Sequence, residues 1–252
     1  MTQPLRWGIL GTGMIAGKFA EDLKHTPQGS LTVSGSRRQE TADGFAAKHG
    51  GRGVAGYDTL LNDPDVDAVY ISLPNGLHAE WSIKAMEAGK HVLCEKPMAR
   101  SAAEAAVMFD AAKRAGRILI EAFMYRTHPA IQKLIEMVHG DALGQVKLIR
   151  SNFSFSRVAP DGDARYQPAL AGGGLMDVGC YCVNLARAVA GSEPTNTACF
   201  AHLHESGVDD YAVGMLQFGE NALATFTCGM TVENDWTTYI AGDKGEIAIN
   251  NP

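Results

Sequence analysis

Two patterns of apolar and polar positions follow one another along this chain. From Leu5 to about Ala122, short apolar runs alternate with amphipathic segments: LRWGIL, MIAGKFAEDL, LTVSGS, ETADGFAAKH, DAVYISL, HAEWSIKAMEAG and HVLCE. That alternation predicts βαβ units and a parallel sheet covered on both faces. The clearest helix opens at Ser101, with Glu104 three residues on as a capping box, and runs through alanines to Gly116. RILIEAF adds a buried strand, and THPAIQKLIEMVHG a helix for which Gly140 is the stop.

After Gly144 the period changes. QVKLIRSNFSFSR alternates along its length and leads into a glycine-rich loop and a helix from about Gly174 to Val189. TNTACFAHLHE, DYAVGMLQF, NALATFTCGMTV, TTYIAG and EIAIN then read as strands joined by SGVD, GEN and GDKG turns. The expected architecture is α/β: a Rossmann-type doubly wound parallel sheet over residues 1–125, then an α+β domain with a mainly antiparallel open sheet over 126–252.

Composition narrows the classes of function. With 252 residues and 46% hydrophobic positions the chain can bury real cores. Its net charge is −6 and its 22 Lys and Arg are scattered, so a nucleic-acid partner is not expected. The N-terminal MTQPLRWGIL is too short for a signal-peptide core, and no apolar stretch is expected to reach membrane-spanning length, so no membrane partner is expected. Five cysteines, an odd number irregularly placed, suit a reducing cytoplasm. Cys180 and Cys182 point to different faces of a helix and lack a second ligand pair, so no metal is expected.

The chemistry begins at GILGTGMIA, which follows the first strand and opens a helix with Gly11, Gly13 and Ala16 at G-x-G-x-x-A spacing. Such a turn cradles a pyrophosphate on backbone amides, so Gly11, Thr12, Gly13, Met14 and Ile15 are candidate dinucleotide contacts. At the end of the second strand, where a carboxylate would select NAD, stand Ser36, Arg37 and Arg38. Guanidinium forks suit a 2′-phosphate, so NADP is the expected cofactor and NAD the lesser one.

ISLPNGLH and VLCEKPM end the fourth and fifth strands. Glu95, Lys96 and Pro97 form an E-K-P motif, and the order GTGMIA, SLPNGLH, EKP and GGGLMDVG resembles the Gfo/Idh/MocA oxidoreductase family along essentially the whole chain. The resemblance implies that Lys96 reaches the nicotinamide and the substrate hydroxyl, while Ser72, Pro74, Asn75, His78 and Glu95 line the cofactor. For His78, a helix-start residue satisfied locally is the competing role. GGGLMDVGCYCVN resembles the family's D-x-G-x-H-x-x-D signature but carries Tyr181 for the histidine and Asn184 for the last aspartate. Asp177, Tyr181 and Asn184 would share one helix face.

Tyrosine at that position, together with EAFMYRTHP, resembles the branch containing dimeric dihydrodiol dehydrogenase, NADP-dependent D-xylose dehydrogenase and glucose-fructose oxidoreductase. The implied activity is hydride transfer between NADP and an alcohol of an aldose, polyol or cyclic diol. Tyr181 would move the proton, Lys96 would tune it and Asp177 would orient the lysine or bind substrate hydroxyls. Arg126, Arg157, Tyr166 and Asn184 are candidate substrate contacts, and THP suggests a helix-terminus role for His128. The open sheet predicts a homo-oligomer, most simply a dimer. GEIAINNP ends the chain where relatives usually continue, which reads as a truncation. The same family includes non-enzymatic regulators, so a catalytically silent NADP-binding protein is the alternative. A dehydratase or glycosidase using NAD internally fits less well without the ribose-binding carboxylate.

Overall fold

Consecutive residues of the first strand show how its sheet is covered. The computed structural model describes residues 3–157 and 162–250, so the extreme ends of MTQPLRWGIL and GEIAINNP lie outside the described residues. The chain divides into two compact units, Met1–Ala122 and Phe123–Pro252. In the first, β1 (Leu5–Leu10), β2 (Gly29–Ser36), β3 (Arg52–Ala55), β4 (Ala68–Ile71), β5 (His91–Cys94) and β6 (Leu119–Glu121) pair in parallel in the order β3-β2-β1-β4-β5-β6. Ile9 and Leu10 are both fully buried and turn to opposite faces. Ile9 clusters with Ala16 and Ala20 of α1 (Met14–Leu23) and Phe45 of α2 (Gln39–His49). Leu10 clusters with Leu60 of α3 (Tyr57–Leu61), Met86 of α4 (His78–Glu87) and Ala111 of α5 (Ala102–Ala115). Strand order reverses between β1 and β4, the place where such sheets bind ligands.

The helix ends follow local chemistry. At α5 the Ser101 side chain accepts the Glu104 N–H at 3.2 Å, and Gly116 closes the helix at φ 62°. The Glu104 carboxylate accepts the Arg100 N–H at 2.7 Å, one residue outside the expected box.

The second unit starts with α6 (Pro129–His139), whose N-cap is His128: its Nδ1 accepts the Ala130 N–H at 3.2 Å. Gly140 follows the last turn at φ −88°, and the left-handed residue is instead Asp141 at φ 66°. A π-turn, Leu175–Gly179, runs into α7 (Cys180–Ala190). Seven strands, β7 (Val146–Ser156), β8 (Asn196–Leu203), β9 (Asp209–Phe218), β10 (Ala222–Gly229), β11 (Thr231–Asp235), β12 (Thr237–Gly242) and β13 (Glu246–Asn250), form one sheet. Its order is β13-β12-β7-β10-β9-β8, with β11 on β7, and the β7–β10 pair alone among these is parallel. Ile149, Ala212, Leu216, Phe226 and Ile240 face Leu134 and Val138 of α6 and Leu185 and Val189 of α7 in one core. Alternate residues on the other face, among them Leu148, Val213, Met215 and Leu223, are exposed.

One apolar run does reach membrane-spanning length, contrary to the sequence reading: the 23-residue helical stretch Pro168–Ala190. Its apolar side chains, Val178, Cys182, Leu185, Ala186 and Val189, belong to the core under the sheet, which accounts for its hydropathy.

Candidate active site

The dinucleotide turn is built from backbone. Gly11 adopts φ 99°, and a Cβ there would lie 3.0 Å from Ser72 Oγ and 3.2 Å from Ser72 O, so the turn itself requires glycine. Gly13 differs: a Cβ there would meet nothing within 4 Å. Nothing in the fold demands glycine at that point, whereas a pyrophosphate approaching the backbone would. Gly13 is the N-cap of α1, which has no side-chain cap and no acidic residue in its first turn, so its amides can receive an anion. Thr12, Met14 and Ile15 follow the turn, with Met14 76% exposed. Ser72 beside them is held by its hydroxyl, which donates to the Leu10 carbonyl at 3.1 Å.

Ser36 at the end of β2 is buried, while Arg37 and Arg38 are exposed. Among the described residues neither guanidinium forms an ion pair, so both forks are available to a phosphate. The fit to an adenosine 2′-phosphate therefore rests on two unengaged guanidiniums and the absence of a carboxylate at the strand's end.

The E-K-P segment is fastened from several directions. The Tyr70 hydroxyl donates to Glu95 Oε1, and Glu95 Oε2 accepts the Lys96 N–H at 3.2 Å. Glu121 accepts the Met98 N–H at 2.7 Å, and Lys96–Pro97 is a cis peptide. Glu95 thus spends its carboxylate on the loop. Pro74, Asn75 and Lys96 are half-buried. His78 corrects the expectation that it lines the cofactor, for its side chain is completely buried. Its Nδ1 lies 2.8 Å from the Pro97 carbonyl and its Nε2 2.8 Å from the Leu73 carbonyl. Burial lowers its pKa against the opposing pull of those two carbonyls. The ring joins the loop after β4 to the loop after β5.

In the second unit the signature residues find partners the sequence did not name, and Asp177 stands on the π-turn Leu175–Gly179 ahead of α7 while Tyr181 and Asn184 stand on α7 itself. Asn184, 8% exposed, accepts from the Tyr125 hydroxyl at 2.5 Å and from Arg126 Nη1 at 3.2 Å. Burial pushes the Tyr125 hydroxyl above its ordinary pKa, so it remains a donor. Tyr181 lies in an aromatic surround of Phe123, Tyr125 and Phe153, with ring centroids at 5.2, 5.9 and 5.2 Å. Asp177 pairs with Arg165 Nε at 2.7 Å. Tyr166 packs edge-on against His204, and Arg157 is exposed beyond the end of β7, so neither joins the Asn184 group. Tyr125, Phe123, Phe153 and Arg165 were missed. Tyr125 had a signal, its place in EAFMYRTHP; the pairing of Arg165 had none, because it depends on a loop closing back on the helix. Among the described residues no group of three or more His, Cys, Asp or Glu could hold a metal ion. Cys182 is buried in the core, and burial raises its thiol to about 11. A shallow groove with residues Leu148, Arg150, Met215 and Leu223 in its lining lies on the open sheet and not at these residues.

Comparison with known proteins agrees with this layout. Residues 5–123 match the oxidoreductase family with an NAD-binding Rossmann fold, and residues 131–248 match the Gfo/Idh/MocA C-terminal domain. D-xylose 1-dehydrogenase (NADP(+)) 2 of Haloferax volcanii is 42% identical over 223 residues, covering 87% of this chain and 68% of its own length. Mouse trans-1,2-dihydrobenzene-1,2-diol dehydrogenase is 33% identical over 254 residues, covering 97% of this chain and 75% of its own. The crystal structure of KijD10, a 3-ketoreductase from Actinomadura kijaniata solved with NADP and TDP-benzene, superposes with TM-score 0.91 at 32% identity, covering 98% of this chain and 76% of its own. With both units matched and both signatures built as described, this chain belongs to the Gfo/Idh/MocA oxidoreductase family.

Proposed function

We propose that this protein transfers a hydride between NADP and a secondary or hemiacetal alcohol of an aldose, polyol or cyclic diol. The observation that carries the reading is how the signature residues are held: Asp177 by Arg165, Asn184 by Tyr125 and Arg126, and the Tyr181 phenol by aromatic rings. A protein that only binds a nucleotide has no use for such an arrangement. Relatives support the substrate class by their names: one acts on D-xylose with NADP, one on a cyclic diol, and one is a 3-ketoreductase solved with NADP.

The Gly11 to Ile15 turn would hold the pyrophosphate of NADP and Arg37 and Arg38 its 2′-phosphate, and the bound nicotinamide would supply the hydride chemistry. Lys96 Nζ polarises the reacting oxygen, Tyr181 Oη gives or takes its proton, and Asp177 receives a neighbouring hydroxyl. Asn184, with Oδ1 occupied by Tyr125 and Arg126, has its amide nitrogen to donate to substrate. Arg126, which reaches Asn184, is a further contact. The exposed apolar face of the second sheet pairs two copies into a dimer, and a reducing cytoplasm suits the free cysteines, of which Cys94 and Cys228 are raised to about 12 by burial.

A screen of NADP reduction with D-xylose, D-glucose, related aldoses and cyclic diols tests this. Turnover with one class and not the others names the substrate. Tight NADP binding without turnover of any would identify a regulator of the same fold instead.

A further inference from the structure

Asp177 stands on the π-turn between the triple-glycine segment and α7, and its partner comes from the loop just ahead of that segment. Arg165 Nε donates to Asp177 Oδ2 at 2.7 Å. The Arg165 Nη1 lies 3.5 Å from Asp163 Oδ1, and the same oxygen accepts the Arg165 backbone N–H at 3.0 Å. Its carbonyl in turn accepts the Gly173 N–H at 2.8 Å, and the backbones approach so closely that a Cβ at Gly172 would fall 2.3 Å from that carbonyl oxygen. Asp177 N–H then donates to the Gly173 carbonyl at 2.9 Å. Residue 165 therefore grips the glycine segment by its backbone and the Asp177 carboxylate by its side chain. Arginine suits the post, because a rigid fork addresses two carboxylates in two directions where an ammonium cannot. The Asp177 side chain is 14% exposed and that of Asp163 9%, so the pairing is shielded from water more than a surface ion pair would be. Burial opposes the guanidinium's charge, and Asp177 with Asp163 more than offsets it, leaving the Arg165 pKa above its usual value.

We propose that Arg165 is a positioning residue that sets the orientation of the Asp177 carboxylate toward a substrate hydroxyl, with Asp163 as its anchor. This rests on the reading of Asp177 as a substrate-binding group. Arg165→Met, Arg165→Lys, Asp177→Asn and the Met/Asn double variant test it in the full chain with a sugar that the screen accepts. Arg165→Met should lower kcat/KM about 10- to 100-fold while the NADPH Kd stays within about twofold, and Arg165→Lys should recover part of the loss. In the Asp177→Asn background, Arg165→Met should cost less than about twofold more, since the two act as one unit. Full additivity would overturn the proposal and make Arg165 an independent substrate contact.

An activity-free measurement separates this from the function itself. The 13Cγ titration of Asp177 should move up by about one pH unit or more in Arg165→Met, because a carboxylate losing a cation binds its proton more readily. An unchanged midpoint overturns the proposal even where turnover is normal. If the unaltered protein turns over no sugar or diol, the substrate reading fails and the titration alone decides the positioning role. Should Arg165→Met not fold, Arg165→Gln, which also removes the cation, serves for both measurements.

Discussion

In the first unit the groups offered to a ligand are mostly backbone amides at strand ends, fixed by turns a few residues long. In the second they are side chains on one helix and the π-turn ahead of it, fixed by partners 12 to 59 residues away, from Arg165 on Asp177 to Tyr125 on Asn184. The contrast has a physical root. A pyrophosphate needs amides and close approach, which a glycine turn provides through φ and the lack of a Cβ. A sugar or diol needs oriented hydroxyl partners, and side chains are oriented only by packing and hydrogen bonds from elsewhere in the fold. Motif-based reading therefore reaches further in the first unit than in the second.

The sharpest way to break the comparison is to remove the group proposed to react from each unit. Lys96→Met and Tyr181→Phe should each cut turnover by roughly 100-fold or more while cofactor binding is largely spared. Tyr181→Phe keeps the ring among Phe123, Tyr125 and Phe153, so its melting temperature should hold. If Tyr181→Phe turns over normally, the second unit's helix face is packing and the chemistry rests on Lys96. Tyr181→His should restore some activity and move the basic limb of alcohol oxidation to lower pH, since imidazole titrates near about 6.5 and a phenol near about 10. An unchanged profile would say that the residue at this position does not carry the proton.

The next effect lies inside the first unit, between two glycines that the motif treats alike. Gly11→Ala forces a side chain into φ 99° and against Ser72, so it should lower the melting temperature. Gly13→Val enters open space at an extended φ of −78°, so the fold should survive it. NADPH affinity should nonetheless fall about 10-fold or more, because the Cβ branch occupies the approach to the amides. Calorimetry of the apo proteins beside fluorescence titration with NADPH separates the two. Gly13→Val with normal affinity would mean that the pyrophosphate does not rest there.

Much of this was legible before any coordinates. The βαβ alternation, the G-x-G-x-x-A turn and the Ser101 cap all act within a few residues, where propensity and backbone geometry decide. What stayed hidden is tertiary. His78 lies at a helix start in the sequence and is completely buried in the fold, its ring set between the Leu73 and Pro97 carbonyls by a loop 19 residues on. The parallel pairing of β10 with β7 joins strands separated by two others, and no period announces it. Gly140 read correctly as a stop, but the left-handed turn fell to Asp141.

Cofactor choice gives a smaller effect. Arg37→Asp would replace the proposed charge-assisted contact to the 2′-phosphate by repulsion and should move the preference toward NAD by about 2 to 3 kcal/mol. The ratio of Kd values for NADPH and NADH checks it. Equal affinity of the unaltered protein for both cofactors would remove the selecting role from Ser36, Arg37 and Arg38.

The smallest effect is on stability alone and comes from the edge of the first sheet opposite its ligand turns. Arg6 at the start of β1 holds Asp67, just before β4, through Nε at 3.0 Å and Nη2 at 2.8 Å, and the Arg6 backbone N–H adds a bond at 3.0 Å. These bonds lower the Asp67 pKa from 3.8 to about 2. A carboxylate with a depressed folded-state pKa stabilises the fold above its unfolded value and loses that contribution as pH falls toward its folded one. The window here runs from near 3.8 down to about 2. Asp67→Asn should therefore melt slightly lower than the unaltered protein at pH 7, and the gap should narrow as pH drops through that window. Solvent screens the pair, so the difference should be a few degrees at most. NADPH affinity at pH 7 should be unchanged, because the carboxyl ends of β1 and β4 carry the ligand turns and their amino ends carry this pair. A loss of affinity in Asp67→Asn would show that the two edges of the sheet are coupled, and the separation drawn between structural and ligand-facing ends would fail.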